Sequence, residues 1–161
     1  MRGARENGFT YLGLIIFVAI IGMVGAATLK VGSLLQRAAA EEALLDIGAA
    51  YIAALDSYAA ATPRGASPVP PSLQELLKDP RSLAVRRHLR KIYVDPLTGK
   101  AEWGIVHPDG GVTGVAAIHS LSDARPLKIA NFDRRFRGLE NREKISEWRF
   151  TASERSTARV R

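Results

Sequence analysis

The chain has 161 residues, a net charge of +7 and no cysteine. This length allows one small domain beside a membrane anchor, and the lack of cysteine excludes disulfides and thiolate–metal sites. The positive charge favours anionic partners such as acidic proteins or lipid head groups.

The chain begins with a short charged leader followed by a long uncharged run. Arg2, Arg5 and Glu6 precede Gly8, and no charged residue occurs again until Lys30. A transmembrane helix needs about 20 predominantly apolar residues, so this run is long enough to span a bilayer. Because Arg and Lys favour the cytoplasmic side, the pattern predicts a single-pass protein with its amino terminus in the cytoplasm.

The junction between the leader and the apolar run carries the most specific signal. Gly8 ends the hydrophilic leader, and Phe9 begins the apolar segment. This junction resembles the class III signal of type IV pilins and type II secretion pseudopilins. The resemblance implies that residues 1–8 are a leader, that a prepilin peptidase cleaves between Gly8 and Phe9, and that the new amine of Phe9 is methylated.

Position 13 departs from the family pattern. Family members usually carry a glutamate at the fifth residue of the mature chain, which is Gly13 when Phe9 is the first. In the family that carboxylate is thought to meet the terminal amine of a neighbouring subunit. Its absence indicates a minor or atypical subunit, with an assembly surface expected at Phe9, Leu12, Gly13 and Ile16.

Two other interpretations of this segment stay open. Residues 24–26, with the sequence VGA, form a small-residue cleavage site before Ala27 that suits a secretory signal. The run also suits an ordinary membrane anchor that is never processed at Gly8. A mature amino terminus at Phe9, Ala27 or Met1 distinguishes the three.

Beyond the apolar run the helix is predicted to continue to about residue 62. Alanine is frequent there, proline is absent, and apolar residues recur at spacings of three and four. The resulting stripe consists of Leu44, Gly48, Tyr51, Leu55 and Tyr58, widened by Ile52 and Ala59. The acidic residues are expected largely off the stripe: Glu41, Glu42, Asp46 and Asp56. We therefore predict one long helix, with residues 9–31 in the membrane and residues 32–62 in the periplasm, whose stripe needs a partner.

A Pro-rich linker is predicted at residues 63–71 and a globular head at residues 72–152. Ser72 and Glu75 form a capping-box pattern for a short helix, and a second short helix is predicted at 83–91. Strands are predicted at 101–106, 112–119 and 147–152, with a turn at 108–111. This order predicts a pilin-like α+β fold, in which a small antiparallel sheet packs on the helix.

No catalytic or metal-binding motif is found. His88, His107 and His119 are scattered without ligand spacing, and no nucleophile elbow or phosphate-binding loop occurs. Major pseudopilins hold calcium in the loop after the second strand, which corresponds to residues 121–126. Asp123 is the single carboxylate of that loop, whereas calcium takes six to eight oxygens, so we expect no calcium. No cofactor, metal or catalytic residue is expected.

Basic residues form two clusters, at residues 86–91 and from residue 134 to the end. We predict a solvated surface and a disordered basic tail at residues 153–161. Contacts with acidic subunits or anionic lipids are alternatives. DNA binding is not expected, because no aromatic residues suited to base stacking are interleaved with the clusters.

The resemblance as a whole implies a pseudopilin subunit of a type II secretion filament. Its implied partners are the prepilin peptidase, other pseudopilins and an inner-membrane assembly platform. Its implied location is the bacterial inner membrane, with the C-terminal domain in the periplasm. Two alternatives stay open: a type IV minor pilin of a competence or pilus machine, and a membrane-anchored periplasmic binding module that does not polymerise.

Overall fold

The structure is a computed structural model that describes residues 7–82, 84–108 and 111–153. The side chains of residues 7–10 and 24–30 lie outside this description. The elements are α1 (Asn7–Ala60), α2 (Leu73–Leu77), β1 (Gly104–Val106), β2 (Ala117–His119) and β3 (Phe150–Thr151), with 3₁₀ turns at Arg134–Leu139 and Ile145–Glu147. The protein is α+β, with a long N-terminal helix and a small antiparallel sheet.

The chain divides into two compact units, with the boundary between Arg37 and Ala38. The first unit holds the amino-terminal part of α1, and its described large apolar side chains are exposed. The second unit holds the rest of α1, α2 and the sheet. Among the described residues, the whole hydrophobic core lies in this second unit.

The stripe predicted for α1 is buried in the second unit. Leu44 and Tyr51 are fully buried, and Leu55 and Tyr58 are nearly so. The sheet approaches this stripe closely at Gly48, where an added Cβ would overlap the ring of Phe150. The spacing of three and four therefore predicted the packed face of the helix correctly.

One acidic residue predicted to lie off the stripe is instead buried. Glu41 is 3% exposed, and its carboxylate accepts hydrogen bonds from the backbone N–H groups of Leu127 and Lys128 at 2.8–3.1 Å. Glu42 and Asp46 are exposed as expected. The prediction for Glu41 was wrong because Glu41 lies three residues before Leu44, on the same helical face as the stripe. Its hydrogen-bond partners, backbone amides 86 and 87 residues away, leave no pattern in the sequence.

The sheet has the order β1-β2-β3, and both pairings are antiparallel. Ile118 in the central strand faces Ile105 on one side and Phe150 on the other. All three strands are shorter than predicted. Gly114, at φ +87°, interrupts extended geometry before β2, so the ladder begins at Ala117. Of the turn predicted at 108–111, residues 109 and 110 lie outside the described residues.

The segment between α1 and β1 is largely irregular. Residues 63–71 form turns and bends, and α2 follows Ser72 as predicted. The capping box does not form: the Ser72 side chain makes no cap hydrogen bond, and the Glu75 carboxylate accepts from the Tyr58 hydroxyl at 3.1 Å. The Glu75 side chain therefore ties α2 to α1 instead of closing the helix end.

The second short helix predicted at 83–91 was wrong for residues 84–91, while Leu83 lies outside the description. The backbone N–H groups of His88 and Leu89 both donate to the Leu76 carbonyl at 2.8 Å. This pairing with α2 satisfies donors that a local helix would have used internally, and it buries Leu89.

Candidate functional site

The predicted assembly residues lie near the beginning of α1. Gly8 and Phe9 are helical, with the Phe9 side chain outside the description. Leu12 and Ile16 are 56% and 51% exposed, and their spacing of four places them on one helical face. A Cβ added at Gly13 would meet no atom within 4 Å. The side chains of Leu12 and Ile16 are therefore exposed, and the space beside Gly13 is open.

The apolar surface of this part of α1 extends around the helix. Between residues 11 and 23, the exposed large apolar side chains are Tyr11, Leu12, Leu14, Ile15, Ile16, Phe17, Val18, Ile20, Ile21 and Met23. Ten such side chains within 13 positions leave no polar face, in contrast to an amphipathic surface helix. Exposed apolar surface of this extent marks a contact with lipid or protein, because water alone does not stabilise it.

Within the described residues, no helix reaches the combined length and mean hydropathy needed to cross a membrane.

A second polar constellation, the Asp79 cluster, lies in the second unit and comprises Ser57, Tyr58, Asp79, Arg81 and His88. Both carboxylate oxygens of Asp79 accept from Arg81 at 2.9 Å, and His88 Nε2 lies 3.2 Å from Oδ2. The Arg81 guanidinium also stacks 3.6 Å from the centre of the Tyr58 ring. The Asp79 and His88 side chains are only 2% and 1% exposed, so the centre of the cluster is buried, whereas Ser57 lies at the surface.

Burial and hydrogen bonding shift the protonation of this cluster. Hydrogen bonds from the Arg81 side chain hold the pKa of Asp79 well below its usual range, against the opposing effect of burial. Burial, with the hydrogen bond to Glu75, raises the pKa of the Tyr58 hydroxyl to about 12. Asp79 is therefore ionised and Tyr58 neutral at neutral pH, which is the state their contacts require.

Ser57, His88 and Asp79 form a chain of hydrogen bonds that invites comparison with a hydrolase triad. Ser57 Oγ lies 2.8 Å from His88 Nδ1, and the other ring nitrogen faces Asp79. In the serine-protease arrangement these two nitrogens are exchanged. Ser57 also lies inside α1, where neighbouring N–H groups bond to carbonyls of the preceding turn and cannot form an oxyanion hole. The chain of bonds therefore joins elements and does not build a nucleophile.

The other predicted positions are dispersed. His107 Nδ1 lies 2.6 Å from the Gly114 carbonyl, and His119 Nδ1 lies 2.9 Å from the Ser120 carbonyl. Asp123, in the loop considered for calcium, accepts from the Ser146 hydroxyl at 2.9 Å. In the parts of the chain that are described, no three His, Asp or Glu side chains are close enough to hold a metal.

Sequence reasoning missed the role of Asp95, which is fully buried. Its carboxylate accepts from the Leu97 N–H at 2.9 Å and from the Ser120 hydroxyl at 2.6 Å. The first bond closes the turn before β1, and the second fixes that turn to the end of β2. The Asp-Pro pair followed by Gly99 did indicate a turn, but it carried no sign of Ser120.

Comparison with protein-family models, with curated proteins and with solved structures finds no match.

Proposed function

We propose that this chain is a pseudopilin-like subunit of a type II secretion filament. The observation that carries the proposal is the exposed apolar surface of α1 between residues 11 and 23. The second unit has a buried core and its exposed large apolar groups are dispersed along the chain, whereas those of α1 are almost consecutive, where a filament subunit would meet lipid and other subunits. The Gly8–Phe9 junction adds a reason why this surface would be released for assembly.

The proposed mechanism is mechanical and uses no catalytic residue. After cleavage between Gly8 and Phe9, the apolar helix would leave lipid and pack against the helices of other subunits. Dispersion contacts between closely packed side chains would replace contacts with lipid tails. The prepilin peptidase, an inner-membrane assembly platform and other pseudopilins are the proposed partners.

The proposal places residues 9–31 in the bacterial inner membrane and the second unit in the periplasm. It rests on the sequence, because residues 7–29 contain no Asp, Glu, Lys or Arg while Arg2 and Arg5 precede them. A charge at the centre of a bilayer costs about 2.5–3.5 kcal/mol on insertion scales, so the uncharged run favours insertion.

We further propose that Gly13 makes this a minor or atypical subunit. Replacing Gly13 with glutamate would restore the docking carboxylate implied by the family pattern, and space exists for its Cβ. Incorporation of Gly13→Glu into filaments of the native host, compared with wild type, tests this proposal. Increased incorporation supports it, and identical incorporation of the two proteins removes its basis.

The processing step is tested by sequencing the amino terminus after co-expression with a prepilin peptidase. The expected terminus is Phe9 for wild type and for the control Gly3→Leu, which alters another leader glycine. Gly8→Leu should retain Met1, since a bulky side chain replaces the residue next to the scissile bond. A wild-type terminus at Ala27 or Met1 would contradict the proposal in favour of a secretory signal or an unprocessed anchor.

Assembly through α1 is tested by crosslinking, which is simple because the chain contains no cysteine. We expect Leu12→Cys and Ile16→Cys each to form disulfide-linked dimers in host membranes expressing the assembly machinery, and the double variant Leu12→Cys/Ile16→Cys, with two thiols per chain, to form longer crosslinked ladders. Val112→Cys is the matched control, because Val112 is 87% exposed but lies in the second unit. If all of these cysteine variants remained monomeric, the protein would instead be a membrane-tethered module that does not polymerise.

A further inference from the structure

A polar cleft of about 420 Å³ lies in the second unit, beside the turn Ile145–Glu147. It is lined by Gly138, Arg142, Glu147 and Arg149. Two guanidinium groups therefore face a space that contains one carboxylate, which leaves the lining with a net positive charge. Neither the Asp79 cluster nor the exposed surface of α1 includes any of these residues.

The two arginines retain donors for an external ligand. Arg142 donates from Nε to the Gly138 carbonyl at 3.3 Å, which orients its guanidinium and leaves the terminal nitrogens available. Arg149 is exposed and makes no hydrogen bond or ion pair with another described residue. Glu147 is partly engaged, because its Oε2 accepts from the Glu143 N–H at 3.4 Å.

Buried neighbours fix the backbone from which these side chains extend. Gly138 belongs to the turn Arg134–Leu139, whose Phe136 and Leu139 are buried. Glu147 and Arg149 flank Trp148, which is fully buried. Because the buried neighbours anchor the backbone, the points at which the charged side chains leave the chain are fixed beside the cleft. The fork of a guanidinium group can bind a carboxylate through two parallel N–H···O bonds.

The surroundings favour a protein carboxylate over a nucleic acid. The aromatic residues nearest in sequence, Phe136, Trp148 and Phe150, are buried and offer no face for base stacking. The charge of Glu147 opposes any anion in the cleft, so the two arginines suit a single carboxylate better than a continuous phosphate backbone, and Glu147 would accept a backbone N–H or a Lys next to that carboxylate. Further exposed cations are close in sequence to the lining residues, namely Arg134, Arg135, Arg137 and Lys144, of which Arg135 pairs with Asp133 and Lys144 with Asp123.

We propose that this cleft is a docking site for a side-chain carboxylate on an acidic segment of a partner protein. Arg142 and Arg149 bind the carboxylate oxygens, and Glu147 accepts a hydrogen bond from the partner's backbone. None of the lining residues belongs to α1, so binding at the cleft can be lost while assembly through α1 is kept.

The proposal is tested with a fluorescent hexaglutamate peptide and the full-length protein in a nonionic detergent. We expect the double variant Arg142→Gln/Arg149→Gln to weaken peptide binding by about tenfold or more, as expected for lost charge-assisted hydrogen bonds. The control Arg86→Gln/Arg87→Gln removes the same charge from exposed positions outside the cleft, and it should change binding by less than about twofold.

A second variant tests the shape of the cleft without changing charge. A Cβ added at Gly138 meets no atom within 4 Å, so Gly138→Leu can project a side chain into free space. We expect it to weaken peptide binding by about tenfold, with an unchanged circular dichroism spectrum, since steric exclusion removes the contacts of both arginines.

Three results would overturn the proposal. Equal losses in the two double variants would show that only net charge matters. Tighter binding of duplex DNA than of hexaglutamate at the same salt concentration would assign the surface to nucleic acid. Undetectable binding of hexaglutamate to the wild-type protein would show that the cleft does not bind carboxylates.

Discussion

At Gly48, the backbone of α1 lies directly against the ring of Phe150. Phe150 is fully buried, so its ring has no free volume into which it can retreat. Gly48→Ala would place a methyl group inside the ring. Alanine is favoured over glycine in a helix by about 1 kcal/mol, but overpacking a dense core costs about 1–3 kcal/mol. Because the overlap is severe, we expect a net loss of about 1–2 kcal/mol in the free energy of unfolding.

The matched control for this prediction is Gly32→Ala, the same substitution in the same helix. No atom lies within 4 Å of the added Cβ, so only the helix preference remains. Urea denaturation in detergent, followed by the fluorescence of the buried Trp103 and Trp148, measures both variants. A Gly48→Ala protein as stable as wild type would mean that β3 does not pack on α1 at this position.

Glu41 stabilises a segment that is distant from it in the sequence. Its carboxylate accepts from two backbone N–H groups, at Leu127 and Lys128, and is only 3% exposed. Glu41→Gln replaces one acceptor oxygen with an NH₂ group that faces a donor. Hydrogen bonds to charged groups contribute about 1.5–3 kcal/mol, so we expect a loss of about that size in the free energy of unfolding.

Hydrogen exchange locates this effect. The amides of Leu127 and Lys128 should be less protected in Glu41→Gln, because a neutral side chain with one acceptor oxygen replaces the carboxylate and its NH₂ group faces a donor. The control Glu42→Gln changes an exposed neighbour on the same helix and should leave both amides protected. Unchanged protection in Glu41→Gln would show that other contacts hold the segment on α1.

The Asp79 cluster connects elements, and its stability depends on pH. Arg81 contacts Asp79, the Thr62 hydroxyl at 2.8 Å and the Tyr58 carbonyl at 3.3 Å, so it joins the segment after α2 to the end of α1. The folded pKa of Asp79 is lower than its unfolded value of about 3.9, so the folded state binds fewer protons. This stabilisation is present above about pH 4 and is lost as the pH falls toward the folded pKa.

We therefore expect the urea concentration at the unfolding midpoint of the wild type to decrease as the pH is lowered below about 4. In Asp79→Asn this decrease should be less steep. Arg81→Gln should also reduce the dependence of the urea midpoint on pH below about pH 4, because hydrogen bonds from Arg81 are the main cause of the lowered pKa of Asp79. Urea titrations at several values between pH 2 and 7 measure these slopes. If the urea midpoint depended on pH equally in the wild type and in both variants, the cluster would not have this role.

The elements that sequence patterns predicted well are those governed by local rules. The stripe of α1 follows helical periodicity, and α2 starts after Ser72, as its position before an apolar run indicates. The failures occurred where a distant partner competed with a local one. Residues 84–91 pair with the Leu76 carbonyl instead of forming a helix, and the Ser72–Glu75 box is replaced by a bond to Tyr58.

The candidate sites likewise differ in how far local sequence patterns could predict them. The exposed surface at Leu12 and Ile16 could be predicted from composition, because an uncharged apolar run has no polar face to turn outward. The Asp79 cluster could not, since the Ser57–His88 contact spans 31 residues of chain. The cleft between Arg142 and Arg149 requires a backbone path through two 3₁₀ turns that no periodic pattern marks.

At the scale of the molecule, the two units differ in what stabilises them. The buried core residues of the described chain begin with Leu44 and continue to Phe150, all within the second unit. The first unit contributes no member to that core, and its large apolar side chains are exposed. The second unit therefore contains the interactions that a folded domain requires.

We accordingly expect a chain that begins at Ala38 to fold without detergent as a soluble monomer, with the same urea midpoint as the full-length protein. A chain that begins at Tyr51 is the matched control. It lacks Leu44, and truncation of one buried leucine to alanine already costs about 2–5 kcal/mol. Because small domains are stable by only about 5–15 kcal/mol, loss of residues 38–50, more than three turns of α1 at 3.6 residues per turn, should leave this shorter chain unfolded. Size-exclusion chromatography and urea titration compare the two chains. Aggregation of the Ala38 chain, or a clearly lower midpoint, would show that the first unit stabilises the second.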